Sequence, residues 1–140
     1  MGIQKNDQSH LKQEVPRADS DVLFLREEGS QGPKNTLKIS AKLPSNLHVT
    51  DGHFPNDPLV PAFAQLDWIL QLARRYSEDL FSNNAFESAT QIEFKGIKYL
   101  QPLRPAETIT IVFETIDDSV MNFSINRADG VVTRGRLCCE

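Results

Sequence analysis

The sequence predicts an α+β domain in which an antiparallel sheet of about six strands wraps around one long central helix. Two observations carry this. Several short stretches alternate apolar and polar residues with a period of two, which suits strands with one buried face. One stretch, Pro61 to Ala73, is apolar on nearly every side, broken only by Gln65, Asp67 and Gln71. A helix of that composition belongs in a core.

The elements follow in order. Residues 1–19 are rich in Gln, Lys, Asn, Asp and Ser and read as a flexible polar tail, leaving 20–140 as the domain. Val22 to Leu25 is a short apolar run. Thr36–Lys42 alternates, with Leu37, Ile39 and Ala41 on one face, and the two runs make a hairpin across a turn-rich link. Pro44 to Pro58 is loop-like. A helix then starts at Pro61, where a missing N–H costs nothing, and runs to about Tyr76. Arg74 and Arg75 close it, where cations suit the helix dipole. Ser82-Asn83-Asn84 marks the exit. Ile92 and Phe94 share one phase and Ile97 and Tyr99 the other, so Gly96 sits at a bulge. Three more alternating stretches, separated by Asp117-Asp118-Ser119 and Ala128-Asp129-Gly130, form a meander ending at Cys139.

Composition excludes several classes. A length of 140 residues suits one core, and 39% hydrophobic with 24% charged residues is a globular balance. The net charge of −4, without a dense basic run, argues against nucleic acid. No apolar stretch reaches the ~20 residues of a membrane span, and the N-terminal residues lack an apolar signal core. A cytoplasmic protein is the expectation. The adjacent Cys138 and Cys139 point to opposite faces of a strand and form no disulfide framework.

The chemistry concentrates between Asp51 and Gln71. Asp67 falls on an apolar helical stripe with Phe63 and Leu70, so burial of its carboxyl is expected. Such an acid tends to keep its proton, which general acid catalysis needs. Gln71 lies one turn on and can orient it. A structural aspartate that caps a loop is the plainer alternative. His53, in a proline-rich loop, can act as a base near neutral pH. Ala62 opens the helix, where free N–H groups can polarise a carbonyl. A metal site from His48, Asp51, His53 and Asp57 matches no ligand spacing, so no metal is expected.

Gly52-His53-Phe54-Pro55, Pro58, Pro61, Gln65-Leu66-Asp67 and Gln71 together resemble the active-site segment of the 3-hydroxyacyl-acyl-carrier-protein dehydratases. So does Phe94-Lys95-Gly96-Ile97-Lys98-Tyr99-Leu100, which leads to a proline-rich turn. The wording Gln-Leu-Asp-Trp looks most like the small dehydratases of aryl-polyene clusters. The resemblance spans roughly residues 20–140 and implies the hotdog fold. It implies His53 as the catalytic base and Asp67, fourteen residues later, as the catalytic acid, with Gln71 orienting it. Asp here resembles the dehydratase/isomerase branch, whereas most purely dehydrating relatives carry Glu. Gly52 and Phe54 are the flanking substrate-orienting positions. Two family glycines are replaced, by Asn56 and by Ala62, and Ala62 keeps the N–H but adds a methyl.

The implied reaction is dehydration of 3-hydroxyacyl thioesters carried by acyl carrier protein, giving trans-2-enoyl thioesters in fatty-acid or polyene-type biosynthesis. No cofactor is needed. The family builds its site between two subunits, which implies a homodimer. The rivals are a hotdog thioesterase, in which the same acid activates water, and a non-catalytic acyl-binding subunit. Carrier proteins are acidic, so a cationic docking surface is expected, with Arg74, Arg75, Lys95, Lys98 and Arg104 as its candidates.

Overall fold

The structure is a computed structural model that describes residues 22–27, 36–46, 59–80 and 91–139. The expected tail, the loop with Gly52, His53, Phe54 and Asn56, and the Ser82–Asn84 exit lie outside these residues. Six strands form one sheet: β1 (Leu25–Arg26), β2 (Thr36–Lys42), β3 (Ile92–Tyr99), β4 (Thr108–Asp117), β5 (Val120–Arg127) and β6 (Gly130–Cys139). Their order across the sheet is β1-β2-β4-β5-β6-β3, and every pairing is antiparallel. Two helices, α1 (Ala62–Arg75) and α2 (Ser77–Leu80), lie between β2 and β3 in the chain. The hairpin of β1 and β2 and the meander of β4, β5 and β6 follow the alternation of the sequence. The four-residue α2 was not anticipated, since so short a segment carries no readable period.

Register explains the core. Ile39, Ile111, Ile125 and Thr133 stand opposite one another across β2, β4, β5 and β6. Leu37, Phe113, Phe123 and Gly135 form the next row. Both rows point inward, and all but Gly135 are buried. On α1 the buried face is Ala64, Gln65, Trp68, Ile69, Leu72 and Ala73. These positions repeat at helical spacing, so one stripe meets the apolar rows. Trp68 also meets Phe24 edge-on, with ring centroids 5.7 Å apart. Such a pair adds ~0.5–1.5 kcal/mol beyond the area it buries.

The remaining face of α1 corrects an expectation. Phe63 is 63% exposed, Ala62 is exposed, and Leu66, Asp67, Leu70 and Gln71 are only half-buried. Among the described residues the helix is therefore not enclosed on all sides. A single sheet can cover one stripe of a helix, and the second apolar stripe needs something else to cover it.

At Gly96 the backbone has φ +62°, and the ladder between β3 and β6 shifts register between Lys95 and Lys98. Glycine reaches that conformation without a Cβ penalty. The extra residue lies opposite Gly135. An added Cβ at Gly135 would come within 2.6 Å of Ile97 Cδ1 and 3.0 Å of Phe123 Cζ, so these side chains occupy the room that glycine leaves.

Candidate active site

Pro61 is the N-cap of α1 and supplies no side-chain hydrogen bond. The first intrahelical donors are Ala64 and Gln65, both bonded to Pro61 O. Ala62 and Phe63 precede them, so their N–H groups belong to the uncapped end of the helix. That end opens on a cleft of about 370 Å³. Leu59 to Ala62 and Gln65 form one wall, and Tyr99 to Leu103 form the other. The lining is mainly apolar with a few polar groups, the usual make-up of a small-molecule site. Burial raises the pKa of the Tyr99 hydroxyl above its ordinary value.

Asp67 stands one turn and a half further along α1. Gln71 Nε2 donates to Asp67 Oδ2 at 3.2 Å, so the amide holds the carboxyl group from the next turn. Asp67 is half-buried, not buried as its stripe suggested. The reason is the uncovered face of α1, which it shares with Phe63, Leu66 and Leu70. His53, Gly52 and Phe54 fall outside the described residues. Among the described residues no group of three metal-ligating side chains converges.

Several polar residues to which the sequence reading gave no site role organise the cleft. Gln65 is 4% exposed and uses both ends of its amide. Its Nε2 donates to Val60 O at 3.2 Å, and its Oε1 accepts from Thr133 Oγ1 at 2.6 Å. Val60 N donates to Leu103 O at 2.7 Å, which joins the two walls. Arg127 holds the second wall. It donates to Pro102 O at 3.0 Å, to Glu107, to Asp129 and to Gln101 Oε1. The one usable signal was that Gln65 is a polar residue inside an apolar helical stretch.

The cations divide. Lys95 and Lys98 lie on the outer face of β3, and the register sets Lys95 opposite Arg136 and Lys98 opposite Arg134. These four border a groove of about 480 Å³ with Val112, Glu114, Asn122 and Ser124. Arg74 and Arg75 lie in the last turn of α1 and Arg104 lies in the turn after β3, and none of the three lines this groove. Of the five expected docking residues, Lys95 and Lys98 therefore border this groove.

A six-stranded antiparallel sheet packed on one central helix, with a cleft at the helix N-terminus, defines a hotdog domain. The chain belongs to the ApeI-like family, whose model, described as ApeI dehydratase, matches residues 29–136. It is thus related to the small hotdog dehydratases of the aryl-polyene type. Solved structures agree on the fold. The dehydratase heterocomplex ApeI:P from Xenorhabdus doucetiae is 24% identical, with a TM-score of 0.61 over 83% of this chain and 97% of that one. An uncharacterised protein from Erwinia carotovora subsp. atroseptica is 22% identical, with a TM-score of 0.58 over 84% and 97%. The E. coli PaaI protein of the phenylacetic acid degradation operon is 14% identical, with a TM-score of 0.56 over 82% of each chain. No curated protein matches the chain by sequence.

Proposed function

We propose that this chain dehydrates 3-hydroxyacyl thioesters borne on an acyl carrier protein and releases trans-2-enoyl thioesters. The observation that carries the reading is the Gln71–Asp67 hydrogen bond, on a helix whose uncapped N-terminus opens on an apolar cleft. Membership in a dehydratase family supports it. His53 takes the proton from C2, which the thioester acidifies. Asp67 gives a proton to the C3 hydroxyl, which leaves as water as the C2–C3 double bond forms. The Ala62 N–H stabilises the negative charge that develops on the thioester oxygen. Gly52 and Phe54 orient the acyl chain.

The partly uncovered stripe of Phe63, Leu66, Asp67 and Leu70 and the edge strand β3 favour a second copy beside this face. The Xenorhabdus doucetiae structure is a heterocomplex, so pairing with a different chain is the alternative to a homodimer. The acidic carrier would meet Lys95 and Lys98 together with Arg134 and Arg136. No helix among the described residues is long and apolar enough to cross a membrane.

The test follows the reaction in reverse, as hydration. Purified protein with a trans-2-enoyl thioester should yield the 3-hydroxyacyl thioester with no free thiol. Asp67→Asn and His53→Ala should each slow this ~10²–10⁴-fold, the usual worth of a positioned acid or base, with the fold kept. Asp67→Glu should retain part of the rate. Release of free thiol from wild type would replace the dehydratase with a thioesterase, and Asp67→Asn turning over at the wild-type rate would remove the acid role.

A further inference from the structure

We propose that Gln65 is a positioning residue that fixes the height of the helix N-terminus over the cleft, using Thr133 as its anchor. The claim rests on the dehydratase reading in one respect, since it assigns the Ala62 N–H to the substrate carbonyl.

Thr133 is fully buried and is the polar member of the inward row whose other described members are Ile39, Ile111 and Ile125. A valine would fill that place without a desolvation cost. Its hydroxyl instead donates to Gln65 Oε1 at 2.6 Å. Gln65 sits on the buried stripe of α1, where leucine would serve packing better. Its amide carries the connection onward to Val60 O. Val60 in turn is bound through its own N–H to Leu103 O. The chain of contacts therefore runs from β6, through Gln65, to Val60, two residues before Ala62, and on to the opposite wall.

Proline at position 61 makes this brace necessary. Pro61 contributes no side-chain cap and no N–H, so the segment entering the helix has few bonds of its own. Without Gln65, the Val60 carbonyl would lose its amide partner and the entry to α1 could shift along the sheet. An oxyanion donor works only if its N–H is already aimed, and a displacement near 1 Å can cost about a hundredfold in rate. Gln65 needs no contact with the reacting atoms to have that effect.

The experiment uses Gln65→Leu, Thr133→Val, the double variant and Thr133→Ser. Each is read by amide hydrogen exchange at Val60 and by steady-state hydration of a trans-2-enoyl N-acetylcysteamine thioester. Gln65→Leu and Thr133→Val should each speed exchange at Val60 about tenfold and leave β4 and β5 amides unchanged. Each should lower kcat about tenfold or more with little change in KM. The double variant should be no worse than Gln65→Leu, because the two residues act as one unit. Thr133→Ser, which keeps the hydroxyl, should behave as wild type. Thr133→Val is the check if Gln65→Leu does not fold. Unchanged exchange at Val60 overturns the brace. Faster exchange with wild-type kcat overturns the positioning role. An inactive wild type sinks the dehydratase reading instead, and exchange at Val60 alone then decides the brace.

Discussion

Arg127 donates from Nη1 to both carboxylate oxygens of Glu107, each at 3.1 Å, across the turn that forms the far wall of the cleft. The same guanidinium reaches Pro102 O at 3.0 Å, so one side chain ties the turn to the end of β5. Its pKa is raised by hydrogen bonds to Asp129 and Glu107, so it stays charged throughout. Arg127→Ala should lower unfolding free energy by about 1–3 kcal/mol, because the Pro102 carbonyl loses this donor and Glu107 keeps the Arg104 N–H but loses its cation. Arg127→Lys should recover little, since an ammonium cannot serve several acceptors in one plane. Urea denaturation of the three proteins measures both.

Gly135→Ala should be destabilising by about 1–3 kcal/mol, as expected for a group forced into filled space. The contacts name the remedy. Ile97 Cδ1 is the nearer obstacle at 2.6 Å and is the end of a flexible chain, whereas the Phe123 ring at 3.0 Å is held in the core. Adding Ile97→Val should recover part of the loss. Thermal unfolding of the single and double variants tests this, and the double variant being worse than Gly135→Ala would refute it.

Stability should fall in alkali. Burial raises the pKa of Cys139, with Cys138 and Asp117 adding to the effect, and burial also raises that of Tyr99. The folded chain therefore holds these protons longer than the unfolded chain does. A thiol in the unfolded chain ionises near pH ~8.5. The stabilisation is full below that and declines as pH rises through it, since the unfolded state then binds fewer protons. Cys139→Val should flatten the earlier part of the decline, with chemical denaturation between neutral and alkaline pH as the measurement.

Carrier docking predicts two opposite effects from one substitution. Lys98 faces Arg134 directly across the ladder, and like charges so placed repel. Lys98→Gln should therefore raise thermal stability slightly. It should also raise KM for carrier-bound substrate more than for a short free thioester, and more steeply at low salt. Equal KM changes on both substrates would rule out docking at this face.

Much of the fold was legible because its signals are local. Leu37, Ile39 and Ala41 announce their strand within seven residues, and Gly96 announces the slip in β3. The site was less legible because its relations are distant in sequence. Gln65 and Thr133 are 68 residues apart, and nothing near either shows that they meet. Arg134 and Arg136 alternate with Gly135 like any outward pair, and only the pairing of β6 with β3 sets them against Lys98 and Lys95. The burial of Asp67 was misjudged for a related reason. An apolar stripe shows that a face seeks cover, not that the same chain supplies it.

The extra residue at Gly96 makes one strand serve two trades. Ahead of it Phe94 turns inward and Lys95 outward, and beyond it Ile97 and Tyr99 turn inward and Lys98 outward. In a regular ladder without the bulge the same residues would send Tyr99 out of the cleft and Lys98 into the core, whereas deleting Gly96 would set Ile97 opposite Gly135 and leave both where they are. The wall of the cleft and the face that presents the cations are thus written in a single reading frame. Any other single-residue insertion or deletion within the strand moves both together, and the bulge residue itself is the one that can be lost without rewriting either.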